Sequence, residues 1–311
     1  MTFGAETTTD EVLAGVDLSG RRAVVTGAST GLGEETSRAL AAHGAAVTMA
    51  VRNQARGDAA AARIRDSLPD ADLEVRLVDL ASLASVRSFS AGFLDAHDRI
   101  DLLINNAGIM ACPQGTTADG FELQFGTNHL GHFLLTNLLL PALHAGAPAR
   151  VVSVSSAGHR FGDVDLLDHN FETTPYEPWL AYGRSKTANA LFAVELDHLY
   201  ADSIHAYSLH PGGIQTELAR HLTEESLGTL IAAMPKDQPT IWKSIPQGAA
   251  TSVWAATAPE LDNNGGAYLE DCQIALVNAD ASSRSGVKPY AIDPARAEAL
   301  WELSTVLVGL G

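Results

Sequence analysis

From Arg21 onward, short runs of consecutive apolar residues alternate with alanine-rich stretches whose apolar positions recur at helical spacing. The runs predict strands over Arg22–Thr26, Ala46–Val51, Leu73–Val78, Leu102–Ile104, Arg150–Ser155, Ile204–Leu209 and, more faintly, Ile274–Val277. Helices are predicted over Leu32–His43, Gln54–Ser67, Leu83–Ala96, Thr127–Leu143, Tyr182–Tyr200 and Pro246–Thr257. A strand that is apolar at every position, rather than at alternate ones, has both faces covered. The pattern therefore reads as α/β: a doubly wound parallel sheet of about seven strands, with helices on both faces, in a single domain over 21–311. Residues 1–20 lack this rhythm and read as a polar, poorly packed arm. Two stretches, near 157–181 and 216–245, also break it. Both follow strands, on the side where open sheets of this kind bind ligands, so Trp179, Leu218, Leu222, Leu227 and Trp242 are candidate substrate walls.

Composition narrows the partners. The chain has 311 residues and a formal charge of −17, which would repel nucleic-acid phosphates. An anionic ligand must then be held by local cations rather than by the general field. Cys112 and Cys272 show no paired spacing, so neither a disulfide framework nor a metal site is expected, and a cytoplasmic location fits best. The opening MTFGAETTTDEV carries no basic or long apolar run, so no export signal is expected. The apolar stretch from Phe133 to Leu143 is interrupted by Thr136, Asn137 and Pro141 and is too short for a membrane span.

The first strand ends in Thr26-Gly27-Ala28-Ser29-Thr30-Gly31-Leu32-Gly33, which opens a helix. Glycines at 27, 31 and 33 permit a tight turn, close approach of backbone to a pyrophosphate, and close helix–strand packing. Free amides at the helix start, at Ser29, Thr30, Gly31 and Leu32, would then meet phosphate. No Gly-Lys-Ser/Thr follows, which excludes the nucleoside-triphosphate loop and leaves a Rossmann-like dinucleotide site. A chain that binds NAD usually ends its second strand in an acid; this one reads Met49-Ala50-Val51-Arg52. A guanidinium there matches a 2′-phosphate, which favours NADP, with NAD possible.

Tyr182-Gly183-Arg184-Ser185-Lys186 places a phenol and an amine four residues apart, on one face of a helix. Hydride transfer to a carbonyl leaves an alkoxide that needs a proton, and the reverse reaction needs a base. A free tyrosine titrates near pH 10, and lowering it by about 3 units corresponds to roughly 4 kcal/mol. Lys186 and an oxidised nicotinamide ring could together supply that in a water-poor cleft. Ser156, at the end of the fifth strand, can donate to the substrate oxygen where charge develops, though its neighbour Ser155 could serve instead. Asn128 is a poor helix former in the middle of a predicted helix. His129 and His132 lie three apart but lack a third ligand, and His210 stands at a strand end within reach of a cofactor.

Taken in order, these motifs resemble the short-chain dehydrogenase/reductase family: the TG-x3-G-x-G loop, Asp79-Leu80, Asn105-Asn106-Ala107-Gly108, Asn128, Ser156, Tyr182 with Lys186, and Pro211-Gly212. The ending Gly266-Ala267-Tyr268-Leu269-Glu270-Asp271-Cys272 and the stretch Ala50-Val51-Arg52-Asn53 are most similar to its retinol-dehydrogenase-like branch. The resemblance implies that Asp79 and Leu80 meet the adenine, and that Asn106, Ala107 and Gly108 line the adenosine ribose. It also implies that Pro211, Gly212, Ile214 and Thr216 frame the nicotinamide, and that Lys186 holds its ribose. Asn128, Ser156, Tyr182 and Lys186 would form the catalytic set, with Asn128 holding a water that continues the proton path. The implied activity is NADP(H)-dependent interconversion of a carbonyl and an alcohol on a bulky apolar molecule, in a homodimer or homotetramer. Ser156 and Tyr182 stand 26 positions apart, more than in many members, so the substrate does not carry over from the resemblance. A catalytically silent NADP-binding redox sensor is the alternative; such proteins typically lose the tyrosine or the lysine.

Overall fold

The computed structural model describes residues 3–216, 218, 228, 242–280 and 285–311. In chain order the described elements are α1 (Thr9–Val12), β1 (Arg22–Thr26), α2 (Gly31–Ala42), β2 (Ala46–Val51), α3 (Gln54–Ser67), β3 (Leu73–Leu77) and α4 (Leu83–Ala96). There follow β4 (Leu102–Asn105), α5 (Leu123–Phe125), α6 (Gly131–Leu138), α7 (Leu140–Ala145), β5 (Ala149–Val154), α8 (Pro178–Tyr200) and β6 (Ile204–His210). The chain closes with β7 (Gly213–Ile214), β8 (Trp242–Lys243), α9 (Ile245–Thr257), β9 (Tyr268–Glu270), β10 (Gln273–Ile274) and α10 (Pro294–Leu307).

The sheet has eight strands in the order β10-β9-β6-β5-β4-β1-β2-β3, and all but β10 run parallel to their neighbours. Alternate residues of one strand feed opposite faces: Val25 packs in the core cluster under α2 and α9, and Val24 in the cluster under α4, α6 and α8. Every residue of β5 is buried, as a central strand covered on both faces requires. The strand order reverses between β1 and β4, and the crevice at that switch point is where such sheets bind ligands.

Four elements differ from the sequence reading. The seventh parallel strand is Tyr268–Glu270 rather than Ile274–Val277. Asp271 and Cys272 both take positive φ, 52° and 54°, and turn the chain into a two-residue hairpin, so Ile274 ends the antiparallel eighth strand, β10. Leu276 and Val277 lie beyond it, 81% and 60% exposed. The helix read over Thr127–Leu143 is divided: a π-turn over Gly126–Leu130 leads into α6, and Pro141, which cannot donate a backbone hydrogen bond, starts α7 anew.

Over the described residues 3–20 the arm is packed. Thr8 and Glu11 form a capping box on α1, Leu13 and Leu18 are buried, and Arg38 pairs with both Asp10 and Glu35. Finally, α10 was not foreseen. Asp293 caps its start, and Trp301 stacks on Phe192 of α8 at 5.8 Å and meets Phe133 of α6 edge-on at 4.8 Å.

Candidate active site

Gly27 and Gly31 take positive φ, 67° and 57°, which bends the chain sharply from β1 into α2. A side chain at Gly33 would place its Cβ 2.4 Å from the Gly27 carbonyl oxygen and 2.6 Å from Asn106 Nδ2. The loop is thus closed against the end of β4. Thr26 ties the two together: its hydroxyl accepts from the backbone amides of Asn106 (2.9 Å) and Ala107 (3.0 Å), while Asn106 Nδ2 donates to the Thr26 carbonyl at 2.8 Å.

A cavity of about 1180 Å³ opens along this loop. Its described wall holds Gly27, Ser29, Thr30, Gly31, Leu32 and Gly33 from the loop, and Arg52 from the end of β2. Asp79 and Leu80 follow β3, Asn106, Ala107 and Gly108 follow β4, and Pro211, Gly212, Ile214 and Thr216 follow β6. Ser156, Tyr182 and Lys186 share the same wall, as do Trp179, Leu218 and Trp242; Leu222 and Leu227 lie outside the described residues. Asp79 does not cap α4, whose cap is Ser82; its carboxylate instead accepts from the Ala81 amide at 3.0 Å.

Three lining features escaped the sequence reading. Asn53 caps α3 by accepting from the Arg56 amide, and this brings Arg56 to the wall beside Arg52. A second arginine in the first turn of the helix after Arg52 was the available signal. Met110 also lines the cavity, and no local pattern marks it; Arg160 and Phe161 line it from the 157–181 stretch read as a candidate wall. Gly158 sits under the Tyr182 ring, where an added Cβ would lie 2.6 Å from Cε1.

Ser156 ends the extended chain after β5 and caps a tight 3₁₀ turn over Ala157–Phe161. Its hydroxyl accepts from the Gly158 amide at 3.0 Å, and Gly158 sets it beside the Tyr182 ring. Ser155 is committed elsewhere, donating to the Lys186 carbonyl at 2.7 Å, which leaves Ser156 as the serine facing the phenol. Tyr182 is only 3% exposed and meets Trp179 edge-on at 6.0 Å. Lys186 Nζ donates to the Val154 carbonyl at 2.8 Å and lies 5.8 Å from the centre of the Tyr182 ring.

Burial favours the neutral form of both groups. It pushes the Tyr182 phenol up to about 12, against the opposing hydrogen bond from Ser156, and the Lys186 amine down to about 7. The expected acidification of the phenol is therefore not produced by the chain's own groups.

Asn128 stands behind the cavity wall, wholly buried. Its side chain accepts from the Ile109 amide (2.9 Å) and donates to the Ile109 carbonyl (3.0 Å) and to Ser185 Oγ (2.9 Å). Ser185 in turn donates to the Tyr182 carbonyl at 2.8 Å, so Asn128 braces the turn of α8 that carries the phenol. His132 Nδ1 donates to the Asn128 carbonyl at 2.9 Å, and its Nε2 meets the Thr26 hydroxyl at 2.9 Å. His129 meets Ser304 of α10 at 2.8 Å. His210 lines the cavity, its Nδ1 accepts from the Ala157 amide at 3.0 Å, and burial lowers its pKa to about 3. Cys112 and Cys272 form no disulfide. Among the described residues no cluster of three potential ligands could hold a metal, and no helix is long and apolar enough to cross a membrane.

Comparison with known proteins agrees with this layout. The family model for short chain dehydrogenases matches residues 21–227. Human retinol dehydrogenase 12 is 41% identical over 296 residues, covering 95% of this chain and 88% of the relative. The short-chain dehydrogenase/reductase prx1 of Penicillium roqueforti is 43% identical over 293 residues, 92% of this chain and 84% of the relative. Among solved structures, a Mycobacterium paratuberculosis protein superposes with a TM-score of 0.71 at 39% identity, covering 94% of this chain and 95% of its own. The Pseudomonas aeruginosa RhlG/NADP active-site complex does so at 0.63 and 25% identity, covering 81% and 95%. A parallel sheet, a glycine loop at its switch point and a buried tyrosine–lysine pair thus coincide with similarity over nearly the whole chain, and the protein belongs to the short-chain dehydrogenase/reductase family of oxidoreductases, in its retinol-dehydrogenase-like branch.

Proposed function

We propose that the protein interconverts a carbonyl and an alcohol on a bulky, largely apolar molecule, using NADP(H), with Tyr182 as the general acid and base. The observation that carries this reading is the buried Tyr182, with Lys186 5.8 Å from its ring centre and Ser156 beside it, in the same cavity as the glycine loop. The residues fit a dinucleotide: the Gly33 approach leaves no room for a side chain, and the start of α2 offers backbone amides to a pyrophosphate. Arg52 and Arg56 support a 2′-phosphate, in keeping with the NADP held by the RhlG structure. Met110, Phe161, Trp179, Leu218, Trp242 and Ile245 supply an apolar wall for the substrate.

A bound nicotinamide supplies or accepts the hydride. In the reducing direction the Tyr182 hydroxyl gives its proton to the substrate oxygen as that oxygen gains negative charge. Ser156 donates a hydrogen bond to the same oxygen. The tyrosinate left behind is stabilised as Lys186, beneath the phenol, takes up a proton from water; the passing of that proton to Tyr182 restores both groups, and Asn128 keeps the helix turn in place. In the oxidising direction the same groups act in reverse.

The test is a panel of apolar ketones, aldehydes and secondary alcohols with NADPH and NADH, followed by nicotinamide absorbance, together with NADPH titration of Tyr182→Phe. Turnover with NADPH that disappears in the variant, at unchanged NADPH affinity, supports the reading. NADPH binding without turnover on any carbonyl would replace it with the silent sensor.

A further inference from the structure

The loop that holds Ser156 also carries a buried histidine with a defined set of partners. His159 is 2% exposed, and its Nδ1 lies 2.7 Å from the carbonyl oxygen of Ser156. A carbonyl can only accept, so Nδ1 carries the ring proton and donates it there. Nε2 is then a bare acceptor, and it receives the backbone N–H of Lys288 at 3.1 Å. Both neighbours demand the same neutral tautomer.

Two tyrosines complete the arrangement. The Tyr268 hydroxyl, from β9, donates to the same Ser156 carbonyl at 3.0 Å and lies 3.2 Å from Nδ1. The Tyr290 hydroxyl donates to the His159 carbonyl at 2.9 Å. Tyr268, Lys288 and Tyr290 all follow residue 227, where the family match ends. The C-terminal part of the chain therefore reaches back across more than a hundred residues to grip the backbone on either side of the 3₁₀ turn.

We propose that His159 is a positioning residue: with Tyr268 and the 285–292 segment, it fixes the peptide plane of Ser156 so that the serine hydroxyl stays beside Tyr182. The inference rests on the reading of Ser156 and Tyr182 as catalytic partners. The clamp has a competitor to overcome. Ser156 Oγ already accepts from the Gly158 amide at 3.0 Å, the closure an ordinary serine turn uses by itself. Rotation of the Ser156–Ala157 peptide would carry the hydroxyl away from the phenol. Two side-chain donors, added to the His159 backbone amide that closes the turn on the same carbonyl at 3.0 Å, oppose that rotation. Gly158 packs so close to the Tyr182 ring that even a Cβ would lie 2.6 Å from Cε1, so it would transmit a shift of the turn to the phenol.

Two conservative variants separate positioning from bulk packing. His159→Asn keeps an amide N–H near the Nδ1 position, and so the donation to Ser156, but loses the acceptor for Lys288. His159→Gln puts an amide near the Nε2 position, so it can accept from Lys288 but loses the donation to Ser156. With NADPH and the best carbonyl of the panel, His159→Gln should lower kcat tenfold or more, and His159→Asn by clearly less. The NADPH dissociation constant should stay within twofold in both. Equal losses in the two variants, or losses that follow Tm or NADPH affinity rather than the Ser156 donor, would overturn the proposal. If His159→Gln does not fold, Tyr268→Phe removes only the other side-chain donor to Ser156 and must lower kcat at unchanged NADPH affinity. Wild-type turnover is measured first: its absence strikes down the catalytic reading and this inference together, whereas turnover with indistinguishable variants strikes down the inference alone.

Discussion

Lys186 can be replaced in a way that separates what it does for stability from what it does for chemistry. It is 3% exposed, burial lowers its pKa from 10.5 to about 7, and its ammonium is thus held against its preference for water. A displacement of that size corresponds to roughly 4–5 kcal/mol of destabilisation at pH 7. Lys186→Met has a similar length and no charge. It loses one hydrogen bond, worth about 1 kcal/mol, but the Val154 carbonyl it leaves still accepts from Asn189 Nδ2 at 3.1 Å. The variant should therefore be more stable than the parent by about 3 kcal/mol at pH 7 while losing turnover.

The pH dependence fixes the cause. The folded-state pKa lies below the unfolded one, so the native amine binds fewer protons between pH 7 and 10.5, and parental stability falls as pH drops through that window. The advantage of the variant should be nearly full at pH 7 and small at pH 10. Urea unfolding of both proteins at the two values measures it. A variant less stable than the parent at pH 7, or an advantage equal at both pH values, would refute the argument.

Three other substitutions follow from the same geometry. Gly33→Ala drives a Cβ to 2.4 Å from a backbone oxygen, so it should lower Tm and weaken NADPH binding tenfold or more, measured by fluorescence titration. Arg52→Ala combined with Arg56→Ala should reduce the preference for NADPH over NADH at least tenfold while leaving NADH affinity unchanged; an unaltered ratio of kcat/KM would refute the 2′-phosphate assignment. Burial holds His129 at about 3 and His132 at about 4, well below 6.5, so the native state binds fewer protons than the unfolded chain there and stability should fall as pH drops from 6.5 toward 4. His129→Gln, which can still meet Ser304, should flatten that slope by up to about 1.4 kcal/mol per pH unit; an unchanged slope in pH-dependent urea unfolding would count against it.

What could be read from the sequence was what local physics decides. Apolar runs such as Ala46–Val51, broken only by Thr48, announce a strand buried on both faces, and Gly27, Gly31 and Gly33 announce a backbone that must turn and approach closely. The Asp293-Pro294 start of α10 was legible by the same rules, since a capping side chain and a first-turn proline are both present. The edge of the sheet was not: Ile274–Val277 is the more apolar run, yet a two-residue hairpin at Asp271–Cys272 decides which residues pair. Protonation is furthest from local pattern. Spacing alone places Lys186 one helical turn from Tyr182, and from spacing the natural inference is a cation that acidifies a phenol. Enclosure by β5, α8 and the turn after Ser156 reverses that within the chain, because desolvation acts on both groups and favours both neutral forms. If the phenol is to work near neutral pH, the compensating charge must arrive with the ligand. A phenol that becomes a competent base only once the oxidised cofactor is in place would keep proton transfer tied to hydride transfer.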